Sequence, residues 1–362
     1  MIFSAVRPAS EARPPPEEKE NTVRWTFRGD RSGRRSGWRA GAVTLAATAL
    51  LAAGCGGLSG SGQPQAQGGS LAQSGINLAG QTYTVGGKEF DEQLVLCKMT
   101  IAALQSVGAT VNDRCNITGT ASTRAALTGG QIDMYWEYTG TGWITHLKNT
   151  TPIPESQAQY VAVRDADLAQ NQIVWLPPSP FNNTYGLAVT QAFGQQNNLR
   201  TLTDWGNFTN SGNPAATLCV EAEFAGRDDG LAGLFRTYGV TNPPSGPPGL
   251  NTLDTGAIYQ ATANGNPCNF GEVFTTDGRI PGLNLVTLQD DRNYFPKYNA
   301  SPTIRKEVFD RNPSIARVFE QITPRLTDPV MLDLNGQVSS QGQDPGQVAT
   351  RWLQQQGFIG GQ

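Results

Sequence analysis

The sequence predicts an α/β protein built as two lobes. Three observations carry that expectation. Stretches of strand and helix character alternate from about residue 82 onward. The alternation breaks once at the stiff run Pro177-Pro178-Ser179-Pro180 and then resumes. And 362 residues suffice for about two domains, each with its own core. A strand–helix–strand–helix–strand order favours a parallel sheet with helices on both faces.

In the first block, Tyr83–Gly87 is the first expected strand. Phe90-Asp91-Glu92-Gln93 then starts a helix with acid in its first turn, where the helix dipole favours negative charge. Leu94, Cys97, Ile101 and Leu104 recur at gaps of three and four and give it one apolar face, and Gly108 ends it. Val111–Thr118 is a second strand and Ser122–Leu127 a second helix. Ile132–Tyr138 is a third, aromatic-rich strand. Thr139-Gly140-Thr141-Gly142 stops that strand and opens a helix, with Thr141 as the expected N-cap. In the second block, Tyr185–Thr190, Thr217–Ala222 and Phe270–Thr275 read as strands. Helices are expected from Leu202, from Gly226 to Tyr238 and over Ile258–Ala263. From Pro302 the chain reads as mostly helical. Ile315, Val318, Phe319 and Ile322 share a face, Asp328 caps a helix with Pro329 at its first position, and a last helix covers Pro345–Gln356.

The N-terminus differs from the rest. Residues 1–39 are charged and Pro-rich without apolar periodicity, read either as disordered or as the product of a start codon placed too early. They end in a basic region with Arg31, Arg34, Arg35 and Arg39. Residues 40–54 form an apolar run too short to span a bilayer, as in a secretory signal. Leu50-Leu51-Ala52-Ala53-Gly54-Cys55 resembles a bacterial lipobox, with Cys55 the lipidated residue. Residues 55–80, rich in Gly, Ser, Gln and Ala, then read as a flexible tether. The expected address is the extracytoplasmic face of the cell membrane. The four remaining cysteines, an even number in an exported chain, read as two disulfides. Of three possible pairings, Cys97–Cys115 and Cys219–Cys268 is the one expected, because each bond then lies inside one lobe.

Several chemistries are disfavoured. A net charge of -3 with few charged residues gives no reason to expect nucleic acid. His146 is the only histidine, which argues against Ser-His-Asp and Cys-His catalysis and against histidine metal clusters. No phosphate-binding glycine motif follows a strand, and Asp228-Asp229 and Asp290-Asp291 read as caps and turns rather than a catalytic pair. No catalytic residue, metal or cofactor is expected. One stretch points instead to binding. Tyr138 ends a strand just before a helix start, where ligands of open α/β sheets sit. An aromatic face beside N–H donors suits a solute with a cation at one end and a carboxylate at the other.

Six stretches in this order resemble the substrate-binding proteins of bacterial ABC importers for glycine betaine, choline, carnitine and related quaternary amines: Val-Gly-Gly-Lys-Glu-Phe-Asp-Glu-Gln from Val85, Gly-Gln-Ile-Asp-Met-Tyr-Trp-Glu-Tyr-Thr-Gly-Thr from Gly130, Asn-Thr-Tyr-Gly-Leu-Ala-Val-Thr from Asn183, Glu-Phe-Ala-Gly-Arg-Asp-Asp-Gly-Leu from Glu223, Phe-Thr-Thr-Asp-Gly-Arg-Ile from Phe274, and Asp-Asp-Arg-Asn-Tyr-Phe-Pro-Lys-Tyr-Asn from Asp290. The resemblance runs from about Thr82 to the C-terminus. It implies a bilobed periplasmic-binding-protein-like fold of type II, with residues 81–182 and 297–362 in one α/β lobe and 183–296 in the other, joined by two crossover segments. It implies an aromatic cage of Tyr138, Tyr185 and Tyr298, with Phe274 as the wall where relatives commonly have tyrosine. It places Lys88, Thr141 and Arg227 at the ligand's carboxylate and Gln93 in the cleft. Gly87 stands where serine or threonine is common. The implied partners are a small quaternary amine and the permease and ATPase of an importer, and a monomer is expected. Two alternatives remain: the same fold with an aromatic or phenolic solute, and an exported enzyme.

Overall fold

The computed structural model describes residues 69–361. Residues 1–39, the apolar run 40–54, Cys55 and the tether up to residue 68 lie outside them. Among the described residues, ten strands form two five-stranded sheets. They are β1 Thr82–Lys88, β2 Thr110–Ile117, β3 Met134–Tyr138, β4 Ile173–Trp175, β5 Tyr185–Thr190, β6 Leu218–Val220, β7 Leu250–Thr252, β8 Phe270–Phe274, β9 Leu285–Thr287 and β10 Ala300–Arg305. The first sheet has the order β2-β1-β3-β10-β4 and the second β7-β6-β8-β5-β9. The chain therefore passes from one lobe to the other after β4 and returns after β9.

Neither sheet is purely parallel, which corrects the expectation. β1 runs parallel to β2 and β3, but β10 is antiparallel to both β3 and β4. In the second sheet β6 is parallel to β7 and β8, whereas β5 is antiparallel to β8 and β9. The odd strand in each case is the first one laid down after a crossover, so it enters its sheet from the opposite end. Sequence reasoning missed β10 because Pro302 lies in its middle, and proline has no N–H for a ladder. In the fold Pro302 stands opposite Trp136, and its carbonyl accepts from the Leu176 N–H at 3.0 Å.

The Asp91–Ser106 helix packs on the first sheet and beneath the C-terminal helices Asp328–Ser339 and Pro345–Gln355. It is covered on more than one side, so its buried residues include Val95, Leu96, Met99 and Ala103, a wider face than Leu94, Cys97, Ile101 and Leu104 alone. Residues 69–80 are also packed rather than a tether. Ser70 and Leu71 donate to the carbonyls of Gly357 and Phe358, and Leu71, Ile76 and Leu78 are buried. Three apolar side chains among many small polar ones suffice to hold this stretch on the body. The structure pairs Cys97 with Cys115 across the Asp91–Ser106 helix and β2, and Cys219 on β6 with Cys268 just before β8. Each bond lies within one lobe.

Candidate functional site

The ends of β1, β3, β5 and β8 and the return crossover converge on one cavity of about 200 Å³. Tyr138 is the last residue of β3 and Phe274 the last of β8. Tyr185 opens β5 directly opposite Phe274, the antiparallel pairing that places the two rings 5.3 Å apart. Tyr298 comes from the return crossover and meets Tyr185 edge-on at 5.6 Å. It can do so because residue 140 is glycine: a Cβ there would come within 2.8 Å of the Tyr298 ring. Phe90, which sequence reasoning placed only at a helix start, is a fifth ring. It lies 5.2 Å from Phe274 and 6.3 Å from Tyr138, and it lines the same cavity. Five rings from both lobes thus surround one small space.

Two buried carboxylates position this wall. Glu92, only 3% exposed, accepts from Tyr138 Oη at 2.7 Å, Asn183 Nδ2 at 2.8 Å, Thr276 Oγ1 at 2.6 Å and Asn335 Nδ2 at 2.8 Å. Burial raises its pKa, and these four donors oppose the rise. Its partners come from the end of β3, the outgoing crossover, the second lobe and the Asp328–Ser339 helix. Sequence reasoning saw only a helix-dipole acid. Glu137 accepts from Lys88 Nζ at 2.9 Å, Tyr135 Oη at 2.8 Å and the Tyr138 N–H at 2.8 Å, and it stands 2.9 Å from His146 Nε2. Burial disfavours its charge, but Lys88 and His146 outweigh burial and hold the carboxyl far below its ordinary range. His146 is thus a partner of Glu137, buried within the Gly142–His146 π-turn, rather than a bystander on a helix face.

The structure sorts the expected site residues. Tyr138, Tyr185, Phe274, Tyr298, Thr141, Lys88 and Arg227 all line the cavity. Gln93 does not. It is buried, accepts from the Lys88 N–H and donates to the Trp136 carbonyl, so it ties β1 to β3. Thr141 is not an N-cap: the helix turn begins at Thr139 after Tyr138, and Thr141 is already helical. Gly87 is a packing requirement rather than a missing cleft hydroxyl, since a Cβ there would meet the Cys97 Cβ at 2.9 Å. Arg227 lies not at the start of a helix but between the helices Ala222–Gly226 and Leu231–Thr237. It is held by Asp229 through two bonds of 2.7 Å and by Glu223 at 3.2 Å, and it sits over the Tyr185 ring at 5.4 Å. Tyr298 Oη donates to the same Asp229 at 2.6 Å. Asp290 accepts from the Tyr294 and Phe295 N–H groups, the turn role expected of it. Sequence reasoning also missed Glu89, Glu221 and Asn183 on the cavity wall. Nothing in their spacing marks them, because each reaches the cavity only once the lobes are assembled.

Residues 81–355 match the substrate-binding domain of ABC-type glycine betaine transport systems. The chain belongs to that family. It is a substrate-binding protein of ABC transporters, not an enzyme. A glycine-betaine-binding protein of Pseudomonas aeruginosa is 35% identical over 294 residues, covering 79% of this chain and 92% of its own. The glycine betaine-binding protein YehZ of Escherichia coli is 29% identical over 282 residues, covering 77% and 92%. The structure of YehZ without ligand aligns with a TM-score of 0.59 over 78% of this chain and all of its own. A structure described as a glycine betaine/carnitine/choline ABC transporter, 21% identical, shares the fold with a TM-score of 0.62 over 76% of this chain and 99% of its own.

Two outcomes follow for the binding protein. Glu92→Gln replaces an acceptor oxygen with an N–H donor among four donors, so urea unfolding should show a loss of about 1–3 kcal/mol. An unchanged midpoint would mean the four bonds contribute nothing net. The second concerns Glu272 on β8, whose carboxyl burial pushes up to about 8 although it accepts from the Glu221 N–H. Between the ordinary carboxylate range and pH 8 the folded protein holds a proton that the unfolded chain releases. This contribution is present in full below that range and is lost as pH rises through 8. The melting temperature should therefore fall between pH 5 and 9, and fall less in Glu272→Gln. Equal slopes in the two proteins would remove Glu272 from the account.

Proposed function

We propose that the protein captures a quaternary amine (glycine betaine, carnitine or choline) between Phe90, Tyr138, Tyr185, Phe274 and Tyr298 and delivers it to an ABC permease. The observation that carries this reading is the convergence of aromatic rings from both lobes on one small cavity. A trimethylammonium group donates no strong hydrogen bond, so a protein holds it by π faces and dispersion, at about 0.5–2 kcal/mol per wall. A ligand that touches rings of both lobes also favours the arrangement in which the lobes meet. The names of the relatives from Pseudomonas aeruginosa and Escherichia coli point to the same class of solute. The adjoining Phe90 and Phe274 support a second reading: they form a face without hydroxyls that would stack on a flat aromatic or phenolic solute. We further propose that lipid on Cys55 holds the protein at the extracytoplasmic face of the membrane, on the strength of the lipobox-like Leu50–Cys55.

Calorimetry of the purified full chain with glycine betaine and choline tests the cage. Tyr185→Leu and Tyr298→Leu remove a π face while keeping apolar bulk, and each should weaken binding by about 1–2 kcal/mol, roughly tenfold. Tyr298→Phe keeps the ring but loses the bond to Asp229, and so separates the two contributions. Binding unaffected by the leucine variants would reject the cage. Binding of a phenolic solute but of neither amine would favour the second reading. Anchoring is tested by Cys55→Ala, which should move the protein from the membrane fraction to the medium; retention on membranes would reject it.

A further inference from the structure

The rings account for only part of the cavity, and the charges on the remaining wall bear on the other end of the ligand. Two cations, Lys88 and Arg227, and three carboxylates, Glu89, Glu221 and Glu223, face the space. Both cations are engaged from behind. Lys88 Nζ is 2.9 Å from Glu137, and Arg227 is bidentate to Asp229 with both bonds 2.7 Å; neither of these acids lines the cavity. With each cation offset in this way, the facing carboxylates are in excess. Glu223 also takes donors that a ligand carboxylate would need. Its oxygens accept from the Thr120 N–H at 3.0 Å, across the cleft, and from Arg227 Nη1 at 3.2 Å. Glu221 accepts from the Glu223 N–H at 2.6 Å. Burial opposes the charge on Glu223, but Lys88 and the Thr120 N–H hold its carboxyl below the ordinary range, so it is ionised at neutral pH.

We propose that this wall selects an organic cation whose far end carries O–H or N–H donors, as choline does, and disfavours one whose far end is a carboxylate. The proposal rests on the quaternary-amine reading above and names the member of that class which the cavity charges favour. A hydroxyl can donate to Glu221 or Glu223 where they stand. A carboxylate brought within about 5 Å of them meets like charge at low effective dielectric, which is worth tenfold or more in affinity.

Choline and glycine betaine share the trimethylammonium group, so the ratio of their affinities cancels the rings and isolates the far end. Calorimetry on the purified full chain should show choline binding at least about tenfold tighter. Glu223→Gln keeps the side-chain shape and removes the charge. It should weaken choline and strengthen glycine betaine, each by about tenfold, and Glu221→Gln should shift the ratio in the same direction. A misfolded variant would lose both ligands, so movement in opposite directions is a signature that damage cannot produce. Tighter binding of glycine betaine by the wild type, or equal shifts for both ligands in Glu223→Gln, would overturn the proposal. Binding of neither amine by the wild type would overturn the quaternary-amine reading itself, and this inference with it.

Discussion

A carboxylate buried away from water must be surrounded by donors, and Glu92 draws four of them from parts of the chain that are otherwise far apart. Tyr138 comes from the first sheet, Asn183 from the outgoing crossover, Thr276 from just beyond the second sheet and Asn335 from a C-terminal helix. Tyr138 and Asn183 share one carboxylate oxygen and Thr276 and Asn335 the other, so each loss leaves a desolvated oxygen with a single donor. The ring of Tyr138 is thereby fixed at the cavity by the same group that joins the lobes beside it. Arg279 adds a further link nearby, reaching from the second lobe to Asp91 at 2.6 Å. The geometry of the aromatic wall and the relative placement of the lobes thus depend on one shared set of hydrogen bonds.

Much of this arrangement was legible in the sequence, and the reasons for success and failure are physical. Alternating strand and helix character located β1, β2, β3, β5, β6 and β8, helped by turn residues such as Gly108, Gly129-Gly130 and Pro177-Pro178, but not the three-residue strands β4, β7 and β9, which are too short to show a pattern. Tyr138, Tyr185 and Tyr298, which line the cavity, fall in the stretches that carry the family resemblance, the first two at strand ends and the third on the return crossover. β10 was not legible, since Pro302 contradicts a central strand by every local rule and is tolerated only because neighbouring chain segments complete the bonding around it. Lys88 and Arg227, expected at the cleft, line the cavity, whereas Gln93, also expected there, lies behind it. Their partners were not legible, because Trp136, Glu137 and Asp229 are chosen by the folded arrangement and not by spacing. Phe90 was misread for a similar reason: at the entrance to a helix it looks like punctuation, and only the approach of Phe274 from the other lobe makes it a wall.

The two sides of the cavity obey different physics. The ring side is nearly independent of salt and pH, since quadrupole and dispersion forces need no titratable group. The other side carries Glu89 and Glu221, which accept from backbone N–H groups, and two sets of ion pairs, Glu137 with Lys88 and Glu223 with Arg227 and Asp229. Removing any one of these groups exposes its partner's charge to a site with little water. Arg227 in particular stands between two carboxylates and over the face of Tyr185, so the conformation of the tyrosine and the charge balance of the wall are coupled through a single guanidinium.

The two disulfides divide the molecule as a machine designer would divide a pair of calipers. Each bond stiffens one jaw: Cys97–Cys115 clamps a helix to the edge of the first sheet, and Cys219–Cys268 ties two neighbouring segments of the second. No covalent bond among the described residues bridges the jaws apart from the chain itself, which crosses twice. What else joins the jaws is noncovalent, the Glu92 hydrogen bonds and the Arg279–Asp91 ion pair among it, so the disulfides constrain each jaw and leave their mutual placement to contacts that can break and re-form.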